Sequence, residues 1–373
     1  MKKIVNIFSF LIFLFLTYSN AIFAQPSFNT GEFAITVNDY GRIRLYTPDT
    51  SEAGLRQLER MSILVAGAPY QVFDYQNDAD SEEETILLNN PLLSDYEIYG
   101  AFNNYYSSEA PDVLVKYNVY GWNGGKFIIL KSTVVNRETA TINAIVGMDI
   151  IPYLDYEYGF DTVSYDITNE IIRSHRGLTN LGYKLLSHPL ASATAFEWFD
   201  GYETDTNYYN WLNHGSIDNE YVSETADGPV IITSQAPQEL ANGDSIEVYY
   251  AVSLGADESE MIANMHAAEE KYSVITKVES DVKNIPSQFT LDQNYPNPFN
   301  PSTKISFGLP QKSKIVLKIF NVLGQQVAEL LNQQLEAGNH VYNFDGSKLT
   351  SGVYIYSLQT DAGTISKKMS LLK

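Results

Sequence analysis

Residues 113–135 read VLVKYNVYGWNGGKFIILKSTVV, and this stretch decides how the larger part of the chain folds. Two apolar runs, residues 113–120 and 127–135, flank an Asn123-Gly124 pair. That pair predicts a β-hairpin with a type I′ turn, because both residue types tolerate positive φ. The second run begins with four successive apolar residues, Phe127, Ile128, Ile129 and Leu130. Such continuity predicts a strand covered on both faces, as in the middle of a large sandwich.

Comparable runs recur through residues 25–272, which we therefore predict to form a large all-β sandwich. The strand predictions are residues 32–37, 43–46, 61–66, 113–120, 127–135, 142–151, 230–234 and 246–253. One helix is also predicted, because Asp257 and Glu260 have the spacing of a capping box. An apolar stripe follows to Tyr272, and it indicates packing against the sandwich rather than a ligand groove.

Residues 1–24 predict a signal peptide. Lys2 and Lys3 precede an apolar run at residues 4–16, and Ala24 offers a cleavage site before Gln25. The alternative is a membrane anchor, but this almost wholly apolar run of 13 residues falls short of the roughly 20 that span a bilayer as a helix. No later stretch predicts a transmembrane segment, so we expect none in the mature chain.

Composition excludes several classes of site. The chain has no cysteine, which excludes disulfides, thiolate metal sites and a lipoprotein anchor. Residues 25–284 carry 14 Lys and Arg against 40 Asp and Glu, whereas residues 285–373 carry 8 against 5. A net charge of −21 argues against nucleic acid as a partner. It indicates either simple solubility or recruitment of cations.

The apolar pattern typical of strands and helices is absent from residues 273–293, which predict a linker. The proline-rich sequence NYPNPFNPST follows at residues 294–303. The three prolines of this segment fix φ and remove backbone donors, so it cannot be a central strand. It predicts an extended entry segment whose Tyr295 and Phe299 cap a small core. Six or seven short strands then follow within about 80 residues, which is typical of a small immunoglobulin-like sandwich.

Residues 294–373 resemble the type A C-terminal sorting domain of the type IX secretion system. The resemblance lies in NYPNPFNPST, in KIFNVLGQQV at residues 318–327, in SGVYIYSL at residues 351–358 and in the basic, apolar end. The positions that we assign to the sorting motif are Asn294, Tyr295, Pro296, Asn297, Pro298, Phe299, Asn300, Pro301, Gly324, Gly352, Lys367 and Lys368. The alternative is a plain immunoglobulin-like interaction domain.

This resemblance implies export by the Sec route to the periplasm and then passage through the outer membrane. The implied partners are the type IX machinery and a surface peptidase that removes the domain. The rest of the chain is then either attached to surface lipopolysaccharide or released. The sorting domain itself is not expected to be catalytic.

The body also resembles a β-rich domain of secreted proteins of the Bacteroidetes type. The matches are residues 60–67, 127–149 and 249–272. That domain has an Asp-Trp-Asp-like end to the strand that here ends Met148-Asp149-Ile150, so this chain departs from it. The resemblance implies a large β-sandwich, or the supersandwich form found in sugar-binding and mutarotase-like domains, and fold alone does not give an activity.

No catalytic motif stands out. The chain has neither a Gly-x-Ser-x-Gly elbow nor a His-Glu-x-x-His sequence. Arg173, His175 and Arg176 could gather an anion or simply end a polar strand. A pair of carboxylates for glycoside hydrolysis cannot be selected from sequence among 40 acids. We therefore expect no catalytic residues and lean towards a protein that is not an enzyme.

Two ligand hypotheses remain. The first is a carbohydrate platform within residues 196–211, made by Trp198, Tyr202, Tyr208 and Trp211, against the alternative that these rings pack a loop onto the sandwich. The second is a calcium site in a flexible acidic loop, with Asp74, Asp78 and Asp80 as ligands, against a plain solvated loop.

We thus expect a surface or extracellular protein with a non-catalytic structural or ligand-binding body. The alternative is a carbohydrate-binding or carbohydrate-active body.

Overall fold

A computed structural model describes residues 25–51, 54–283, 286, 288–360 and 363–373. The predicted signal peptide, residues 1–24, lies outside this range. The chain divides into two compact units, one ending at Glu269 and the other spanning Glu270–Lys373. Within the described ranges, no helix is both long and apolar enough to cross a bilayer.

The first unit contains two nine-stranded antiparallel sheets. Its strands are β1 (Ser27–Asn29), β2 (Ala34–Val37), β3 (Ile43–Thr47), β4 (Leu55–Ala68), β5 (Gln71–Asp74), β6 (Asp80–Leu87), β7 (Tyr96–Asn103), β8 (Val113–Gly121), β9 (Phe127–Asn136), β10 (Ile142–Pro152), β11 (Thr162–Asp166), β12 (Ile171–Arg176), β13 (Thr179–Leu185), β14 (Leu190–Phe196), β15 (Glu220–Val222), β16 (Val230–Gln235), β17 (Gln238–Leu240) and β18 (Ser245–Gly255). A short 3₁₀ turn (Leu154–Tyr156) and helix α1 (Asp205–Leu212) complete it, and helix α2 (Glu258–Lys283) begins in this unit and continues beyond Glu269.

The strand order of the first sheet is β1-β2-β3-β4-β10-β16-β14, with β5 paired to β4 and β17 to β10. The second sheet has the order β15-β11-β12-β13-β18-β9-β8-β7-β6. One hydrophobic core combines side chains of both sheets, among them Val65 and Val146 from the first and Ile128 and Val248 from the second. The unit is therefore a large β-sandwich, and the all-β prediction is confirmed.

The β8–β9 hairpin lies inside the second sheet, and all four apolar residues at 127–130 are buried, as the sequence predicts. The type I′ turn is wrong. Gly124 has a φ of +70°, but Asn123 is not among the residues with positive φ, and Gly125 N donates to Trp122 O at 3.0 Å. The connection is a longer loop with one left-handed glycine, which is the pattern of a type II turn.

Strand β10 lies at the centre of the first sheet, between β4 and β16. Its alternate residues enter two different cores, because successive strand side chains point to opposite faces. Val146 and Met148 lie in the core between the sheets. Ile145 and Ile151 lie in a second cluster on the outer face, under residues 202–212. Strand β10 is thus covered on both sides.

Helix α2 begins as predicted. Glu260 N donates to Asp257 Oδ1 at 2.8 Å, and Glu260 Oε2 accepts from Ala256 N at 2.7 Å. Met261 and Met265 are buried, and a Cβ added at Gly182 of β13 would come within 2.3 Å of Met261 Sδ. The start of the helix therefore packs on the second sheet. The helix continues to Lys283, so the first half of the predicted linker at 273–293 is helical.

The second unit is a small sandwich. Its strands are β19 (Thr290–Leu291), β20 (Ser302–Leu309), β21 (Ser313–Asn321), β22 (Gln326–Leu335), β23 (Gly338–Asp345), β24 (Gly352–Thr360) and β25 (Gly363–Leu371). They form a three-stranded sheet, β19-β20-β23, and a four-stranded sheet, β22-β21-β24-β25. Side chains of both sheets share one core, which includes Ile305, Phe307, Leu317 and Tyr356. The number of strands agrees with the prediction of a small sandwich.

Candidate functional site

A pocket of about 330 Å³ opens on the large sandwich at the end of β10, and we call it the Trp198 pocket. Its lining residues are Ile151, Tyr158, Trp198, Ala226 and Asp227. The volume lies at the lower end of the range typical of small-molecule sites. Three segments form its walls, namely residues 153–160 after β10, residues 197–199 after β14 and residues 223–228 before β16.

The Glu197 carboxylate joins two of these walls. It accepts from Ser223 Oγ at 3.1 Å, from Glu224 N at 2.8 Å and from Thr225 Oγ1 at 3.0 Å. Burial acts to raise the pKa of Glu197, but these hydrogen bonds outweigh it and hold the pKa below its usual value. Glu197 is therefore a structural brace that fixes Trp198 opposite residues 226–227.

Two glycines allow the walls to approach closely. A Cβ added at Gly159, which has a φ of +71°, would lie 1.9 Å from Thr225 O. A Cβ added at Gly228 would lie 2.8 Å from Glu197 Cα. Both contacts are with backbone, which cannot move aside as a flexible side chain can. Only glycine allows these backbones to meet at the pocket.

Arg176 holds the wall formed by residues 153–160, which we call the aromatic loop. Its guanidinium donates to Leu154 O and Glu157 O, each at 3.3 Å, and also to Gly159 O. Its Nε donates to buried Asp161 at 2.7 Å. Burial raises the pKa of Asp161 to about 7, against the opposing effect of Arg176.

The aromatic loop and Trp198 present rings to solvent beside the pocket. Tyr158 is 40 % exposed, Trp198 38 % and Phe199 44 %. Within the loop, Tyr156 and Phe160 have positive φ values of 68° and 56°. Bulky residues adopt this conformation at a cost of about 1–3 kcal/mol each, and such strain clusters at functional sites.

The structure divides the four predicted platform residues into two groups. Trp198 is exposed at the pocket, whereas Trp211 is half-buried and stacks on Phe196 with ring centroids 4.1 Å apart. Tyr202 and Tyr208 are buried and donate to Asp149 Oδ2 at 3.0 and 2.9 Å. Most of the predicted platform thus packs residues 196–212 onto the sheet, and the carbohydrate hypothesis now depends on Trp198.

Beneath that segment lies a buried ion pair on the outer face of the first sheet. Arg60 Nη2 of β4 is 3.0 Å from Asp149 Oδ2 of β10. Arg60 also donates to Gln76, and its guanidinium lies 5.7 Å from the centre of the Tyr202 ring. Burial raises the pKa of Asp149, and the nearby Arg60 opposes this shift. The pair anchors residues 202–208 from below.

The proposed calcium ligands are occupied by their own backbone. Asp74 Oδ1 accepts from Gln76 N at 2.8 Å, and Asp78 Oδ2 accepts from Asp74 N at 2.9 Å. Burial raises the pKa of Asp74 to about 6. The described residues contain no group of three acidic or histidine side chains that could hold a metal ion. Calcium binding gains no support from this geometry and stays a prediction.

The flexible-loop prediction for this acidic stretch is wrong from Asp80 onward, because Asp80–Leu87 is strand β6. This strand ends the second sheet, and its residues 80–84 are exposed and mostly acidic. Charges on an edge strand prevent pairing with another chain. Protection of this edge accounts for the acidic residues of β6 without a bound metal ion.

The two arginines that could have gathered an anion are already paired. Arg173 Nη1 is 2.8 Å from Glu258, and Arg176 is bound to Asp161 and the aromatic loop. Both therefore serve the fold. Sequence reasoning also missed Tyr158 and Asp227. Tyr158 could have been found from YLDYEYGF at residues 153–160, which has four aromatic residues among eight.

In the second unit, the predicted sorting residues 294–301 form an irregular segment with bends at 296–298 and 300–301, and residues 302–303 begin β20. Asn294 is buried and donates through Nδ2 to Pro296 O at 3.0 Å and to Thr303 Oγ1 at 2.9 Å. Phe299 is in the core and its N–H donates to Ser370 O at 2.9 Å. Tyr295 is 79 % exposed, so its predicted capping of the core is wrong.

The remaining motif positions lie on the same sandwich. Asn297 Oδ1 accepts from Ser370 N at 2.8 Å. Gly324 has a φ of +78° in the turn between β21 and β22, and Gly352 begins β24. Lys367 and Lys368 lie on the last strand, β25. The proline-rich start of the motif therefore pairs with the basic end of the chain.

Comparison of sequences supports the identity of this unit. Residues 293–371 match the family model of the secretion system C-terminal sorting domain. The chain therefore carries a type IX sorting domain, which interacts with the type IX machinery and directs export to the cell surface or secretion. No curated protein matches the chain.

Solved structures give only the fold of the body. A bacterial glucoamylase complexed with acarbose is 10 % identical, with a TM-score of 0.50 over 70 % of this chain and 37 % of that chain. A polysaccharide lyase is 8 % identical over 92 % and 47 % of the two chains, with a TM-score of 0.36. A galactose mutarotase related enzyme from Lactobacillus acidophilus is 8 % identical over 63 % and 99 %, with a TM-score of 0.32. The chain spans less than half of the first two proteins, and only the first likeness reaches the level of a shared fold.

The buried ion pair gives a prediction about stability. Asp149→Ala leaves the Arg60 charge buried without its closest partner, so the free energy of unfolding should fall by about 3–5 kcal/mol. The double variant Arg60→Met/Asp149→Leu removes both charges and should recover most of this loss. Urea unfolding followed by tryptophan fluorescence measures both, since Trp122, Trp198 and Trp211 all lie in the large unit. A loss below 1 kcal/mol in the single variant, or no recovery in the double, would contradict the pairing.

Asp161 gives a prediction about pH. Its pKa of about 7 exceeds the ordinary 3.8 because of burial. The native state therefore keeps a proton that the unfolded state releases, and the contribution of Asp161 to stability is lost as pH rises from about 4 to about 7. Asp161→Asn cannot titrate. Its free energy of unfolding should rise relative to wild type by on the order of 2–4 kcal/mol between those pH values.

Urea titrations across this pH range test the difference, with the exposed Asp200→Asn as the control that should track wild type. A difference between Asp161→Asn and wild type that stays constant, or falls as pH rises, would show that Asp161 is ionised throughout.

Proposed function

We propose that this exported protein is a non-catalytic binding protein whose large sandwich takes a carbohydrate ring in the Trp198 pocket. The observation that carries the proposal is the combination of exposed Trp198 and Tyr158 rings with the Asp227 carboxylate around one pocket of about 330 Å³. The sorting domain supplies the location, the cell surface or the exterior, where polysaccharides are available as ligands.

The chemistry of the lining suits a sugar. Aromatic faces are large apolar surfaces with a negative quadrupole, and they pack well against the C–H face of a pyranose ring. A carboxylate accepts hydrogen bonds from hydroxyl groups, which orients the ring. The bracing by Glu197 and Arg176 fixes these groups before a ligand arrives, which lowers the entropic cost of binding.

Binding is better supported than hydrolysis. A glycosidase needs two carboxyl groups on opposite sides of the bond that it cleaves. Among the described residues, the pocket lining supplies one, Asp227. The nearby Glu197 carboxylate is fully engaged by the residues 223–225, and Asp161 is buried against Arg176. Neither Glu197 nor Asp161 is therefore free to act as the second carboxyl group beside Asp227.

We also propose how the protein is processed after export. On the resemblance to type IX cargo, a surface peptidase removes the sorting domain, and the sandwich is then held on lipopolysaccharide or released. Either outcome leaves the Trp198 pocket intact, because all of its lining residues lie in the first unit.

The proposal predicts that Trp198→Ala weakens glycan binding by at least about tenfold, since it removes one aromatic face of the pocket. Affinity electrophoresis of the mature chain against a panel of soluble polysaccharides measures the change. Tyr106→Ala is the matched control, because Tyr106 is a strongly exposed aromatic residue that does not line the pocket. The proposal fails if no polysaccharide slows the migration of the parent protein, or if the Trp198→Ala variant binds as tightly as the parent.

A further inference from the structure

The charged side chains on the walls of the Trp198 pocket are predominantly acidic. Asp227 is in the lining itself. Glu157 lies on the aromatic loop with its side chain 78 % exposed, and Glu224 is exposed on the wall formed by residues 223–228. The whole body is acidic as well, with 40 Asp and Glu against 14 Lys and Arg in residues 25–284. A ligand therefore enters a region of negative potential.

The arginines on neighbouring elements do not offset this charge for a ligand. Arg176 is 3.2 Å from Glu157 and also donates to three backbone carbonyl groups of the aromatic loop. Arg56 is paired with Glu59, and its guanidinium lies 5.2 Å from the Tyr153 ring centre. The lining itself contains no Lys or Arg among the residues that the structure describes. An anionic group on a ligand would therefore meet Asp227 without a counter-charge.

Like charges brought into contact repel each other, and such juxtaposition is a common way to reject the wrong partner. A neutral hydroxyl group instead donates a hydrogen bond to the carboxylate and gains from the same charge. The interaction with Asp227 is therefore favourable for a neutral sugar ring and unfavourable for an acidic one.

Resting on the proposed function, we propose that the Trp198 pocket selects sugar rings without acidic groups and that Asp227 is the residue that excludes uronic-acid and sulfated rings. Trp198 and Tyr158 supply affinity for the ring faces, which neutral and acidic sugars share. Asp227 supplies the discrimination, because it is the charged group in the lining.

Charge reversal at this position tests the inference. The matched control is Glu239→Lys, which changes the net charge of the protein equally. Glu239 is exposed on β17 and pairs with Asn143 near the start of β10, whereas Ile151 of the pocket lies eight residues further along that strand, on the order of 27 Å away. Both variants make the protein less acidic by the same amount, so any general attraction to a polyanion rises equally in Asp227→Lys and Glu239→Lys.

The experiment is affinity electrophoresis of the mature chain in soluble starch, xylan and β-glucan as neutral probes and in polygalacturonate and alginate as acidic probes. The parent should bind at least one neutral probe about tenfold more tightly than either acidic probe. Asp227→Lys should weaken neutral binding about fivefold or more and strengthen acidic binding about tenfold relative to Glu239→Lys. Asp227→Asn, which adds no bulk, should strengthen acidic binding about threefold and serves if the lysine variant does not fold.

Acidic probes that bind the parent as tightly as neutral ones, with Trp198→Ala still abolishing binding, overturn the selectivity but leave the pocket as a glycan site. Equal behaviour of the Asp227 and Glu239 variants overturns the role of Asp227. No binding of any probe by the parent overturns both the selectivity and the proposed function.

Discussion

Burial of strand β10 on both faces is the constraint on which the rest of the large unit depends. Its inner face, with Val146 and Met148, joins the core between the two sheets, and its outer face is covered by residues 202–212. A sheet face that is covered in this way needs a partner for each polar group on it. Asp149 meets that need by binding Arg60 and two tyrosine hydroxyl groups of the covering segment.

The pocket follows from the same arrangement. Where β10 ends, Ile151 is the last apolar residue of the covered face, and the chain turns into the aromatic loop. The chain leads into the covering segment from Glu197, whose carboxylate binds residues 223–225. Trp198 is left at the margin, fixed by its backbone neighbours but not packed under the segment. The exposed ring is therefore a consequence of how the outer face is closed.

Part of this account could be predicted from sequence because it depends on local patterns. The continuous apolar run at residues 127–130 marked an interior strand, and the spacing of Asp257 and Glu260 marked the start of α2. The motif at residues 294–303 was specific enough to identify the sorting domain. The edge strand β6 was mistaken for a loop because its exposed acids hide the alternation that marks a half-buried strand.

The candidate site was predictable only in part, because it is assembled from three segments spread over about 75 residues of sequence, 153–228. Trp198 could be singled out as an aromatic residue among acids. The sequence could not show that Tyr202 and Tyr208 are buried while Trp198 is exposed. Their burial depends on a hydrogen bond to Asp149, which lies some 50 residues earlier on another strand. Asp227 gave no local signal, because an exposed acid at a pocket looks like any other acid in a chain with 45 acidic residues.

The most direct test of the central claim reports on Trp198 alone. In a Trp122→Phe/Trp211→Phe variant, Trp198 is the remaining tryptophan of the chain, so fluorescence and its quenching by acrylamide read the pocket. A saturating neutral oligosaccharide should change the emission of Trp198 and reduce its quenching, because a sugar ring covers the indole. Glycan binding to this variant, established by affinity electrophoresis, with Trp198 emission and quenching both unchanged would contradict the account.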